Sequence, residues 1–203
     1  ASSLVGSEMC IRDRRYAMNL ALNRASSVIE EGLMLSHEEL LLSAVTPIMG
    51  HDLRVQDYLG FGQDFWAQRA GMELPPFERA ALDVEYDFWT QVVLELAVRD
   101  PDAVILTATP GSSWREVVSH EVLHAWFFQD EAYQAKSLDF WRDIVTEEDK
   151  AAVKALLASD YDINNELLMA NEFQAYILEE SAEESLLGAF VATYRERLVA
   201  ALN

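Results

Sequence analysis

The sequence predicts an α+β fold, mostly helical, with a small β-sheet next to one central helix. Three observations lead there. After residue 15 the chain is dominated by stretches whose apolar residues recur at helical spacing between turn signals, the pattern of helices with a buried face. One short run, AVILTAT over 103–109, is rich in β-formers and bounded by Asp100-Pro101-Asp102 and Pro110-Gly111, which reads as a strand. About 190 residues suit a single core, and no internal repeat, low-complexity linker or second-domain boundary interrupts them. Residues 15–203 are therefore expected to form one domain.

The elements follow in order. Helices are predicted over 16–34 and 36–45, the second opening on an S-x-x-E capping box, Ser36 with Glu39. A helix over 56–70 is stopped by Gly71, and another is predicted over 86–99. The apolar run 91–98 also admits a strand paired with 103–109. After the strand, Pro110-Gly111 breaks the chain, and Ser113 with Glu116 forms a second capping box opening a helix over 114–129. Helices over 131–145, from a Thr146 cap to 158, over 164–180 and over 183–202 complete the chain.

The 114–129 helix carries the chemistry. Val117, Val118, Val122, Leu123, Ala125, Trp126, Phe127 and Phe128 occupy nearly its whole circumference, so it is expected to be buried. Within it stands His120-Glu121-Val122-Leu123-His124. Histidines four apart lie on one helix face, so both imidazoles can reach one tetrahedral zinc, and the glutamate between them is placed as general base for a water. A shuffled chain of this composition would contain such a match only about once in a hundred. Two buried imidazoles need polar partners or a metal, because an unpaired buried polar group costs about 1 to 3 kcal/mol. The expected cofactor is Zn2+.

A third protein ligand is required, and two carboxylates offer themselves. Asp130 follows His120 by ten positions, the spacing of the last ligand in the H-E-x-x-H-x-x-G-x-x-H/D pattern of metzincins. Phe127 stands where that pattern has its glycine, so the chain lacks the sharp turn and Asp130 reads as a solvated helix-end residue. The other candidate is Glu172, in Asn171-Glu172-Phe173-Gln174-Ala175-Tyr176. Here the chain resembles the gluzincin clan of zinc metallopeptidases, whose second helix supplies a Glu ligand, often preceded by Asn and followed by a small residue and an Asp that orients a ligand. Asn171, Glu172 and Ala175 fit this pattern, whereas Tyr176 stands in place of the Asp. The resemblance covers some twenty residues in two patches and identifies a clan rather than a family. It implies a zincin-like domain with Glu172 as third ligand; Tyr176, which departs from the pattern, is read instead as a hydrogen-bond donor to a substrate oxyanion.

Residues 1–14 resemble a translated sequencing-adapter read-through and are expected to be a non-native tail. The only cysteine, Cys10, falls within it, which leaves no disulfide, Cys-ligated metal or Cys nucleophile. The natural N-terminus is then expected to be missing, so the lack of a signal peptide says nothing about secretion. Net charge is −20, and removing the tail leaves 33 acids and 13 bases, which argues against nucleic acid as a partner. No apolar run of about 18 residues predicts a membrane span. The acid pairs Glu179-Glu180 and Glu183-Glu184 read as solvated helix faces.

Other metal chemistries fit less well. A di-iron bundle needs two E-x-x-H motifs and only Glu121 with His124 provides one. A bundle resembling the DNA-damage-inducible family would add His37 or His51 to the H-x-x-x-H pair, and a deformylase site lacks its upstream cysteine. The sequence thus predicts a zinc metallopeptidase acting on a peptide or protein substrate. The alternative is a non-catalytic metal-binding helical bundle or binding module.

Overall fold

The computed structural model describes residues 22–25, 27, 28, 35, 39, 50–70, 76–108, 114–179 and 182–203. The 1–14 tail, His37, Ser113 and most of the helices predicted over 16–34 and 36–45 lie outside them; positions 22–25, 27, 28 and 39 are helical. The described residues are mostly helical with one two-stranded sheet, and no helix among them is long and apolar enough to cross a membrane. The chain divides into two compact units, Ala1–Ile48 with Leu53–Ala103, and Met49–Asp52 with Val104–Asn203.

In the first unit, helix α1 (Val55–Arg69) buries Val55, Tyr58, Phe61 and Phe65. Helix α2 (Pro76–Phe88) runs through a π-helical turn, Trp89–Val93, into α3 (Leu94–Arg99). The predicted 86–99 helix thus begins at Pro76, because a first-turn proline gives up only an N–H that has no intrahelical acceptor. The alternative strand over 91–98 does not form. α1 meets the π turn closely, since a Cβ on Gly62 would stand 1.8 Å from Trp89 Nε1.

Strand β1 (Gly50–Arg54) pairs with β2 (Val104–Ala108). Its pairing partner is distant in sequence, so local pattern alone does not reveal β1.

In the second unit, β2 packs along α4 (Trp114–Gln129), which contacts α5 (Glu131–Asp143) and α7 (Glu166–Leu178). Between α5 and α7 lies α6 (Glu147–Leu157), and a 3-10 turn, Ala182–Glu184, leads to α8 (Gly188–Leu202). The core joins Phe140 and Trp141 of α5, Val153 and Leu157 of α6, Met169, Phe173 and Ile177 of α7, and Val191, Tyr194 and Leu198 of α8. Caps set the boundaries: Thr146 Oγ1 accepts from Asp149 N at 3.1 Å, and Asn165 Oδ1 from Leu168 N at 3.2 Å. The helix predicted over 183–202 starts only at Gly188, where the Glu183 carbonyl lies 2.4 Å from the position a Cβ would take, so the chain turns there instead of continuing from 183.

α4 is not buried all round. Glu121, His124 and Phe127 form its buried line, whereas Trp114 and Trp126 remain 47% and 56% exposed and its other apolar residues are half-covered.

Candidate metal centre

His120 and His124 project from one face of α4 with ring centroids 4.7 Å apart and their Nε2 atoms 3.0 Å apart. One Nε2 must carry a proton for these nitrogens to hydrogen bond; with a cation between them, both would present lone pairs. Glu172 comes from the middle of α7, its Oε2 3.8 Å from His124 Nε2. Ligand-type atoms of all three residues lie within 4.8 Å of one another.

The site is deeply buried, with His124 2% and Glu172 3% exposed. Two of its atoms, His124 Nδ1 and Glu172 Oε2, have no hydrogen-bond partner. Burial raises the Glu172 carboxyl above its ordinary range, partly countered by His124. Burial pulls the His124 imidazole down, but the carboxylates of Asp52, Glu172 and Glu121 outweigh it and push it up to about 9. Carboxylates thus surround this imidazole as they would a cation.

These residues fit zinc. Two imidazole nitrogens and a carboxylate are a donor set that catalytic zinc uses, and bonds of about 2.0 to 2.2 Å place neighbouring ligand atoms roughly 3.3 Å apart. The observed 3.0 and 3.8 Å bracket that spacing. A cation there would also satisfy the unpartnered Glu172 oxygen.

Residues around the three hold them in place. Glu179, at the C-terminal end of α7, accepts from His120 Nδ1 at 2.7 Å, which leaves Nε2 as the free lone pair. The expectation that Glu179 is solvated is corrected: it is 8% exposed. It provides the orienting carboxylate that Tyr176 does not, and its place seven residues, two helical turns, after Glu172 is the signal that would have found it. Arg195 of α8 donates to the Glu179 carbonyl at 2.8 Å and fixes this helix end. Gln174 joins three elements: it accepts from the Tyr133 hydroxyl at 2.6 Å and donates to the Leu123 carbonyl beside His124 and to Asn171 Oδ1.

Glu121 is buried, and its carboxyl is pushed up to about 8 by that burial and by Asp52, with which it hydrogen bonds. Asp52 of β1 went unmarked in the sequence, where nothing links it to residues seventy positions onward. Tyr176 packs its ring against His120 at 4.8 Å, and burial pushes its hydroxyl up to about 12, so it stays a donor at neutral pH. Asp130 is elsewhere. It is the exposed N-cap of α5, accepting from the backbone N–H groups of Ala132 and Tyr133 at 2.9 and 3.0 Å. The site therefore brings together His120, Glu121, His124, Glu172 and Tyr176, and not Asp130; the His51 side chain and His37 lie outside what is described.

No protein-family model, curated protein or solved structure matches the chain.

Proposed function

We propose that this chain is a zinc-dependent metallopeptidase with a zincin-like fold, hydrolysing peptide bonds. The observation that carries the reading is the convergence of His120 Nε2, His124 Nε2 and a buried Glu172 carboxylate oxygen that no hydrogen bond satisfies. These three residues would hold Zn2+, which when bound polarises a carbonyl and acidifies water. Glu121, on the same helix face, takes a proton from the attacking water and returns it to the leaving amine as the C–N bond breaks. A carboxyl raised toward neutrality is suited to both transfers. Tyr176 remains protonated and serves as donor to the developing oxyanion. β2, beside α4, has the backbone to pair with an extended peptide.

The test is Glu121→Gln. It is expected to retain zinc and fold while losing at least about 100-fold in turnover on a peptide library, since the base is not a ligand. Wild-type turnover by that variant would overturn the mechanism. One observation favours a second reading, a metal-binding module without hydrolysis: Asp52 stands against the base. Full zinc occupancy with no cleavage of any peptide by the wild-type chain would select it.

A further inference from the structure

Helical spacing sets Leu123, Trp126 and, just past the helix end, Asp130 on a different side of α4 from His120 and His124. That side borders an open cavity of about 690 Å3, whose other walls include Tyr133 of α5, Leu178 of α7, and Val199 and Leu202 of α8. All of them belong to the second compact unit. A volume of this order is that of a ligand site. It leaves two large apolar side chains partly in water, Trp126 at 56% and Val199 at 44% exposed.

The charge around the cavity has one sign. Among the described residues no basic side chain lines it, and the Asp130 carboxylate is its one ionic side chain. Asp130 accepts from the N–H groups of Ala132 and Tyr133, which leaves its charge in place. The last residues of α4, α7 and α8, which are Gln129, Leu178 and Leu202, all line the cavity, so three negative helix ends converge there. The chain sets its own cations on two of them. Arg195 donates to the Leu178 and Glu179 carbonyls at 3.3 and 2.8 Å, and Lys136 to the Leu202 carbonyl at 2.7 Å. α4 has no basic residue in its last turn and is followed by an acid, so its end is where a cation from outside gains most. Beside that end stand the rings of Trp126 and Tyr133, with centroids 6.3 Å apart and planes at 72°. Gln174 takes the Tyr133 hydroxyl, which leaves the ring to make contacts, and an aromatic face attracts guanidinium or ammonium.

We infer that this cavity is a docking site for a basic peptide segment, with one arginine or lysine side chain against Trp126 and Tyr133 and its apolar neighbours over Leu178, Val199 and Leu202. A cavity of drug-sized volume holds more than one side chain, and its apolar walls call for apolar partners, which favours a peptide over a bare organic cation. The inference is independent of the metal reading, since none of the candidate ligands lines the cavity. A net charge of −20 draws such a segment from a distance, and the cavity fixes where it stops.

Fluorescence anisotropy of a labelled peptide of alternating arginine and leucine, titrated with the full-length chain, tests this. The wild type is expected to bind it about tenfold more tightly than the same peptide with citrulline for arginine, which keeps the shape and loses the charge. Trp126→Ala and Asp130→Asn are each expected to weaken binding by about tenfold. Asparagine keeps the α5 cap, so the second variant covers a folding failure of the first. Asp139→Asn makes the same charge change at an exposed acid of α5 outside the cavity and is expected to bind as the wild type does. Equal losses in Asp130→Asn and Asp139→Asn, or equal affinity for the arginine and citrulline peptides, would reduce the binding to general attraction and overturn the inference. Self-association of the chain that Trp126→Ala abolishes would give the cavity to a second copy and overturn it as well.

Discussion

Glu172 and Glu179 share one face of α7 and have different tasks, one set by its lack of a partner and the other by having one. Glu172 ends in an oxygen that nothing satisfies, whereas Glu179 is committed to His120 Nδ1. Zinc titration should separate them. Glu172→Ala is expected to lose stable zinc binding, and Glu179→Ala to weaken it by about 10- to 100-fold, the usual effect of removing a group that orients a ligand. Asp130→Ala should keep wild-type zinc affinity and lower stability by about 1 kcal/mol through loss of the α5 cap. Zinc lost with Asp130 and retained without Glu172 would reverse the assignment. The H-E-x-x-H residues were legible because they are local, all within two turns of one helix. Glu172 was legible through its neighbours. Glu179 and Asp52 were not, because a carboxylate in a run of acids, or alone in a short strand, becomes part of a site only when tertiary packing buries it.

At the scale of elements, helices with caps were readable and those shaped by a partner were not. Thr146 opens α6 where its sequence says it should, and Asp149 also binds the Tyr194 hydroxyl of α8, so the cap becomes a tertiary contact. The π turn at Trp89–Val93 and the strand at Gly50–Arg54 answer to contacts from outside themselves, the close approach to Gly62 and the pairing with β2. On α2, burial pushes Glu85 up to about 7 from an ordinary 4.5, partly countered by Arg24, 3.5 Å away, and by Arg69. The folded chain then holds this proton more tightly than the unfolded chain. Stability from this group is full below about pH 4.5, falls as pH rises toward 7, and stays lower above, a change of up to about 3 kcal/mol. Melting curves at pH 5 and 8 should show this decline in the wild type and a shallower one in Glu85→Gln, whatever constant offset the loss of the Arg24 pair adds. An equal decline in both would rule it out.

Across the whole molecule, charge is the dominant legible property. A net −20 repels itself, and the chain's three lysines all fall on α5 (Lys136) and α6 (Lys150 and Lys154). There Lys150 pairs with Glu147 and Lys154 with Glu166. Such pairs are local and weak in water, so the unbalanced remainder should dominate the response to salt. Raising ionic strength from 0.1 to 1 M shortens the screening length from about 10 to about 3 Å, and the melting temperature is expected to rise. A fall would mean that the local pairs outweigh the general repulsion. The course of the chain between its compact units was not readable. Residues 49–52 join the later unit and 53–103 the earlier one, an exchange that depends on which strand β2 pairs with and not on any linker composition.

The two helices that bear the candidate ligands have a further consequence. α5 and α6 intervene between α4 and α7 along the chain, so an ion gripped by His120, His124 and Glu172 would be a removable cross-link closing a long loop. Bound to the folded chain alone, zinc at a hundred times its dissociation constant adds about 2.7 kcal/mol. Free zinc would then act as a folding reagent as well as a cofactor, and its withdrawal would loosen the core that Phe173 and Tyr194 hold together. Hydrogen exchange followed with and without a chelator should show protection falling most in α4 and α7. Unchanged protection in both helices would mean that nothing spans them.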